Sequence, residues 1–339
     1  MRAPSFWWRK GAWQAAALSP FGFAYGLVAG ARMRRAGAAA PKPVLCIGNF
    51  VLGGAGKTPL CLAIGALAQR HGLRPGFLTR GYGGAEAGPL RVDLRKHSAE
   101  EVGDEPLLLA ERAVTVVARD RVAGARALAE AGVDLIVMDD GFQNPSLNKD
   151  VSLIVVDGAR GLGNGGVFPA GPLRAPLAAQ LDLADAVLVM GEGEPGEAAA
   201  GRARAAGLPV FSAALRPSGA ADWAGAPLLA FAGIAAPQRF FASLQAAGAS
   251  IGERRAFADH HPYSEADAQA LLELAEARGL VPVTTEKDAV RLRGAHGARA
   301  ALYARAKVFG VEARLAEETA LWAWLTERLA LVAPAGGDA

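Results

Sequence analysis

From Pro43 onward, short continuous apolar runs alternate with stretches whose apolar residues recur at three- and four-residue spacing. The runs at 43–49 (PVLCIGN), 75–81 (PGFLTRG), 113–118 (AVTVVA), 133–140 (VDLIVMDD) and 151–158 (VSLIVVDG) predict buried strands. The stretches at 58–72 and 119–132 predict helices, the second ending at Gly132. Strands without polar alternation, interleaved with helices, predict an α/β fold with a parallel sheet covered on both faces. Such sheets place their sites beyond the carboxyl ends of the strands. After Val187–Met190, EGEPGEAAAG (192–201) reads as a polar break. The pattern resumes with LLAFAGI (228–234), a helix from Pro237 to about Ala247, a helix at 264–278, LVPVTTEKD (280–288) and a last helix near 315–331. The expected organisation is an N-terminal segment 1–40, a main α/β domain 41–224, a smaller α/β domain 225–330 and a tail 331–339.

Residues 1–40 follow a different pattern. No charge occurs from Gly11 to Ala31, while Arg9 and Lys10 precede this stretch and Arg32, Arg34 and Arg35 follow it. Twenty-one helical residues would span about 31 Å, close to the hydrocarbon thickness of a bilayer. Pro20 in the middle, the polar Gln14 and Ser19, and basic residues at both ends argue against a plain spanning helix. A signal peptide fits poorly, because no small-residue cleavage site is followed by an exported, Cys-bearing domain. The favoured reading is a helix, or a bent pair, lying in the membrane interface. Trp7, Trp8, Trp13, Phe21, Phe23 and Tyr25 would be buried in lipid, and Arg2, Arg9, Lys10, Arg32, Arg34 and Arg35 would meet anionic headgroups. Packing on the protein's own core is the alternative, with true spanning third.

Composition adds exclusions. The chain has 339 residues, 52% hydrophobic, with a net charge of +3. That length and apolar content suit two cored domains and exclude disorder for most of the chain. No long basic run is present, which argues against nucleic acid as a partner. The first forty residues hold six basic residues and no acid, leaving −3 for the other 299. Two cysteines, Cys46 and Cys61, exclude a disulfide scaffold and a multi-cysteine zinc site, and fit a reducing cytosolic setting. With 29 Arg against 7 Lys, a lysine inside a motif carries extra weight.

Lys57 is such a lysine. GNFVLGGAGKTP (48–59) lies between a predicted buried strand and a predicted helix, the setting of a phosphate-binding loop. Glycines let backbone N–H groups turn inward around phosphate oxygens, and the helix N-terminus adds attraction for the anion. Gly53, Gly54, Ala55, Gly56, Lys57 and Thr58 are the nucleotide-binding candidates. Lys57 would reach the β/γ-phosphates, and the Thr58 hydroxyl would bind Mg²⁺. The strict spelling G-x-x-x-x-G-K-[ST] is not met, because Val51 replaces its first glycine. The fold expected is therefore P-loop NTPase-like. Asp139 and Asp140 end an apolar strand, where an acidic ligand for nucleotide-bound Mg²⁺ belongs. A guanine-reading Asn-Lys-x-Asp is absent, which favours ATP over GTP.

Other polar clusters sit in tight contexts. Arg80, in TRGYGG (79–84), could hold an anion or serve as a surface ion-pair partner. Asp104 and Glu105, in GDEP (103–106), stand at a helix start. They either cap it, or act on an incoming hydroxyl or on Mg²⁺. Asn164 and Arg174 lie in an irregular stretch from Gly161 to Pro176, and loops of that length inside a domain are usually functional. They are substrate-binding candidates. Asp259-His260-His261-Pro262-Tyr263 is the only His-rich spot; a zinc site would need more ligands, and His260 is a candidate for proton transfer.

In order along the chain, GNFVLGGAGKTP, TRGYGG, GDEP, VMDDGFQ, GNGGVFPAGPLR, FAGIAAPQRFFASL, FADHHPYS and VTTEKDAVRL resemble the tetraacyldisaccharide 4′-kinase family, the lipid A 4′-kinases of Gram-negative bacteria. The resemblance implies ATP- and Mg²⁺-dependent phosphorylation of the 4′-hydroxyl of a tetraacylated glucosamine disaccharide 1-phosphate. It implies a two-domain α/β enzyme with an N-terminal membrane helix, at the cytoplasmic face of the inner membrane. It pairs Asp104 with His260 for activation of the acceptor hydroxyl, places Glu105, Asp139 and Asp140 near Mg²⁺, and gives Gln143 the place of the Gln in DDGFQ. Two positions depart from the family pattern: Asn144 stands where a His is frequent, and Ala175 where an acid is frequent. Asp104 and His260 are far apart in sequence, so domain closure over ATP is expected to join them. The main rival is a membrane-associated ATPase switch of the partitioning type, whose loops also read GG-x-GKT. That type carries a second lysine early in the loop, and none precedes Lys57 here. A non-catalytic scaffold with a degenerate loop is disfavoured by Lys57, Thr58 and Asp139.

Overall fold

Two sheets of unequal size carry the chain in the computed structural model, which describes residues 3–218, 223 and 225–331. Arg2, residues 332–339 of the expected tail, and 219–222 and 224 beside the expected domain boundary lie outside the described residues. The strands are β1 (Val44–Gly48), β2 (Pro75–Thr79), β3 (Leu90–Arg91), β4 (Val114–Val117), β5 (Leu135–Asp139), β6 (Val151–Asp157), β7 (Ala186–Met190), β8 (Val210–Pro217), β9 (Leu228–Ala232), β10 (Ile251–Ala256), β11 (Val281–Thr285), β12 (Lys307–Phe309) and β13 (Val311–Leu315). The helices are α1 (Trp13–Met33), α2 (Lys57–Arg70), α3 (Ala99–Val102), α4 (Asp104–Ala110), α5 (Arg121–Glu130), α6 (Leu177–Leu181), α7 (Glu194–Ala205), α8 (Pro237–Ala246), α9 (Glu265–Ala277), α10 (Glu286–Leu292), α11 (Gly297–Arg305) and α12 (Glu318–Arg328).

The large sheet runs β13-β8-β7-β6-β1-β5-β2-β4-β3, parallel except at its two edges, β13 and β3. β1, β2, β5, β6 and β7 are buried along their whole length, as their near-continuous apolar sequences require. On one face Leu60, Ile64 and Leu67 of α2 meet Leu321 and Leu325 of α12; on the other pack Ala125 and Leu128 of α5 and Ala199 and Ala203 of α7. The small sheet, β10-β9-β11-β12, is parallel throughout.

Two expectations change. The stretch 225–330 divides between the sheets: β9 to β12 build the small one, while β13 returns to pair antiparallel with β8, Ala313 opposite Leu215. The supposed polar break at 192–201 is mostly α7. Its buried face is made of Gly196, Ala199, Ala200 and Ala203, small residues that hide a helical period from a hydrophobicity pattern.

α1 packs one face on the protein, as the packing reading expects, and leaves the other exposed. Gly22, Gly26 and Gly30 recur every four residues and face inward. A Cβ on Gly22 would lie 2.7 Å from the Val167 carbonyl oxygen, and one on Gly26 would lie 3.2 Å from Pro176. The stripe thus lets the helix approach the 167–179 segment closely. The outward face leaves Trp13 74%, Phe21 66%, Phe23 71% and Val28 69% exposed. Trp7 is the exception among the aromatics expected in lipid. It is buried in the protein, and its indole N–H donates to the Pro169 carbonyl at 3.0 Å. Pro20 leaves the Ala16 carbonyl without its helical donor, and the Ser19 hydroxyl replaces it at 2.8 Å. No helix among the described residues is long and apolar enough to cross a membrane.

Candidate active site

The phosphate loop leaves β1 and ends at Gly56, whose φ of +86° caps the start of α2. That left-handed turn suits glycine and puts Lys57 first in the helix. A Cβ on Gly53 or Gly54 would meet nothing within 4 Å, so the backbone there is open to an approaching anion. The Asn49 side-chain amide donates to Gly53 O at 3.0 Å. A second segment clamps the loop from outside: Leu52 N donates to Pro172 O at 2.8 Å, and Arg174 N to Phe50 O at 2.9 Å. That segment is the 161–176 stretch, which also receives α1.

Asp139 ends β5 beside the loop and accepts from the Thr58 hydroxyl at 3.4 Å through Oδ2. Its Oδ1 is buried without a partner. Burial raises its pKa to about 6 against the pull of Lys57, with Asp140 and Glu105 adding to the rise. A buried carboxylate oxygen lacking a donor, next to a hydroxyl, is a donor set that suits a hard divalent cation. No cluster of three His, Cys, Asp or Glu is found among the described residues. The protein ligands fitted to such an ion are therefore few, as is usual for Mg²⁺ held largely by phosphate and water. Asp140, at φ +55°, lies 3.6 Å from Lys57 Nζ and is held by Arg174 Nη1 at 2.8 Å and Nη2 at 3.1 Å. Burial pushes its pKa up, but Lys57 and Arg174 together bring it below the usual carboxylate value.

The opposite wall comes from α4, α10 and the turn after β10. His260 Nδ1 lies 2.8 Å from Asp104 Oδ2, which joins two residues 156 positions apart. His260 has φ +56°, and the Tyr82 ring of TRGYGG sits edge-on to it at 5.6 Å. The bond to Asp104 raises the His260 pKa, against burial that lowers it. Burial pushes Asp104 up, yet donors from His260 and Arg291 hold it below its usual value. Glu105 is paired with Lys287. Another bridge between the sheets links Arg239 of α8 to Asp157 at the end of β6, at 2.5 Å.

The remaining candidates are placed differently. Arg80 is exposed and makes no ion pair among the described residues. Gln143 donates to Asn49 O at 2.8 Å and to Gln180 Oε1 at 3.0 Å, and accepts from Arg174 at 3.2 Å. Asn164 donates to Ala170 O at 3.0 Å and accepts from Gly166 N at 2.9 Å, so its amide shapes its own loop and the N-terminal segment it touches. Sequence reasoning missed Gln180, Lys287 and Arg291. Gln180 is fully buried, with bonds to Gln143, Phe50 O and Ala175 O. Lys287 and Arg291 lie inside VTTEKDAVRL, and their four-residue spacing was the available signal.

An open glycine-rich backbone at the head of α2 and a carboxylate–imidazole pair thus lie on opposite walls of one site. Transfer of a phosphoryl group to a hydroxyl needs both, and the class is that of P-loop kinases. The family described as "Tetraacyldisaccharide-1-P 4′-kinase" matches residues 14–330. A tetraacyldisaccharide 4′-kinase of Methylorubrum extorquens is 54% identical over 321 residues, 94% of this chain and 98% of the relative. One from Methylobacterium nodulans is 54% identical over 341 residues, 100% of this chain and 98% of the relative. The LpxK of Aquifex aeolicus, solved in complex with ATP, shares the fold with TM-score 0.72 at 24% identity, over 93% of this chain and 99% of that one. The chain belongs to the tetraacyldisaccharide 4′-kinase family. That membership favours a kinase over the ATPase switch and the scaffold.

Proposed function

We propose that this chain transfers the γ-phosphoryl group of ATP to the 4′-hydroxyl of a tetraacylated glucosamine disaccharide 1-phosphate, with Asp104 and His260 as its proton-transfer pair. The 2.8 Å contact between these residues carries the assignment of roles. With Nδ1 donating to Asp104, His260 offers Nε2 to the acceptor hydroxyl. General-base help of this kind is typically worth about 10²–10⁴-fold. Backbone N–H groups of Gly53, Gly54, Ala55 and Gly56 cradle the phosphates, and Lys57 moves from Asp140 to the β/γ-phosphates. Thr58 and Asp139 would hold Mg²⁺, with Glu105 and Asp140 nearby. When bound, the ion neutralises phosphate charge. Arg174, Gln143 and Asn164 position the loop that clamps the phosphate loop, and Arg80 is free to meet an anionic part of the lipid.

The large sheet, including the returning β13, serves as the nucleotide-binding unit, and β9 to β12 with their helices as the unit that closes on it. The exposed aromatic face of α1 and its flanking arginines rest on the cytoplasmic face of the inner membrane, where an acylated substrate resides. The test is incubation of purified protein with γ-labelled ATP and tetraacyldisaccharide 1-phosphate. Label on the lipid is expected, absent in Lys57→Ala. Phosphate release without labelled lipid contradicts the reading.

A further inference from the structure

The motif VTTEKDAVRL has no part in the chemistry above, yet it brings one guanidinium to Asp104 and to the carbonyl that anchors the His260 backbone. Arg291, on α10, has only 5% of its side chain exposed. Its Nε donates to Asp104 Oδ2 at 2.9 Å, and its Nη2 donates to the same oxygen. Its Nη1 donates to Asp288 Oδ1 and to the Gly233 carbonyl, each at 2.7 Å. That carbonyl also accepts the backbone N–H of His260 at 2.9 Å. Asp288 is fully buried and accepts in addition from Gly233 N at 2.9 Å, the Tyr263 hydroxyl at 2.9 Å and the Thr285 hydroxyl at 2.6 Å.

A planar guanidinium fork fixes direction as well as charge. Here it reaches the carboxylate from the large sheet and the backbone anchor of a histidine from the small one. His260 stands at φ +56°, a conformation that persists only where its surroundings enforce it. On the same face of α10, Lys287 takes Glu105, so two cations at i and i+4 grip two consecutive acids at the start of α4.

We propose that Arg291 is the positioning residue of the proton-transfer pair, aligning Asp104 against His260 Nδ1 while holding the His260 backbone through Gly233. All three of its guanidinium nitrogens are bonded to Asp104, Gly233 O or Asp288, which makes it a positioning residue and not a catalytic one. The inference rests on the assignment of Asp104 and His260 made above.

The experiment is steady-state kinetics of the full chain with ATP and tetraacyldisaccharide 1-phosphate, for R291A, R291K, D104N, H260A and R291A/D104N. Misplacement of reacting groups by an ångström can cost about 10²-fold. R291A should therefore lose about 10²-fold in kcat with its KM for ATP within about twofold of wild type. Added guanidinium ion should restore R291A and leave D104N unchanged. In the D104N background the same substitution should cost less than about threefold, because the groups act as one unit. R291K keeps the charge and should fold, with a lowered melting temperature, and still be slow, since an ammonium lacks the fork. It decides the matter alone should R291A not fold. Wild-type kcat in R291A or R291K, losses that multiply with D104N, or insensitivity of folded R291A to guanidinium overturns the positioning role. Full kcat in both D104N and H260A instead overturns the pair itself.

Discussion

Asp104 Oδ2 and His260 Nδ1 meet at 2.8 Å although one lies on α4 beside the large sheet and the other follows β10 of the small one. This carboxylate–imidazole pair exists only when the two sheets are held together. The bond raises the His260 pKa above its usual 6.5, against burial that lowers it.

A base must be unprotonated, so kcat/KM is expected to rise with pH through a midpoint above 6.5 and then level off. In Asp104→Asn the midpoint should fall. Stability runs the other way: the raised value favours the fold below pH 6.5, and that contribution disappears as pH rises through the raised pKa. Rate profiles and thermal melts of both proteins check the two signs. A flat rate profile from about pH 6 to 9 contradicts the role of His260.

Asp139, with a pKa of about 6 imposed mainly by burial, must be ionised to hold a cation. Binding of MgATP should weaken below about pH 6, approaching about tenfold per unit. Asp139→Asn should remove that dependence. The same substitution should raise the melting temperature in the absence of cation, more at about pH 8 than at about pH 5, because the buried charge is a cost only where it is ionised. Calorimetric titration and melting at both pH values decide it. Equal MgATP affinity at the two pH values in the wild type speaks against the ligand role.

The two faces of α1 predict separable defects. Phe21→Ser with Phe23→Ser removes exposed apolar surface, so binding to anionic vesicles should drop by more than about tenfold while the melting temperature holds. Gly22→Val brings a side chain against the Val167 carbonyl and should cost about 1–3 kcal/mol of stability. Because the 167–176 segment also clamps the phosphate loop, Gly22→Val should weaken ATP binding too. Vesicle sedimentation and ATP titration of the same variants separate the faces. Loss of vesicle binding in neither variant would detach α1 from the membrane.

What the sequence revealed follows from how locally each signal is written. β1, β5 and β6 are near-continuous apolar runs ending in Gly or Asp, and the loop after β1 carries its chemistry in contiguous residues, so strand, loop and helix were readable together. β10, IGERRA, is an edge strand with polar and exposed residues, and nothing in its pattern separates it from a loop. α7 was hidden by a buried face of Gly and Ala. In the site, Lys57, Asp139 and His260 stood in motifs with a mechanism of their own. Arg291 and Lys287 read as an ordinary charged helix face, because their partners lie 187 and 182 positions away. Gln180 had no local signal at all; only the packed loop around it makes its amide necessary.

In the proposed reaction phosphate leaves ATP for a sugar hydroxyl. The most direct measurement is phosphorus NMR of the lipid product, taken together with the amount of ADP formed. One new phosphomonoester at the 4′ position per ADP, lost in both Asp104→Asn and His260→Ala, is the result predicted. ADP accumulating with free phosphate and an unchanged lipid would contradict it.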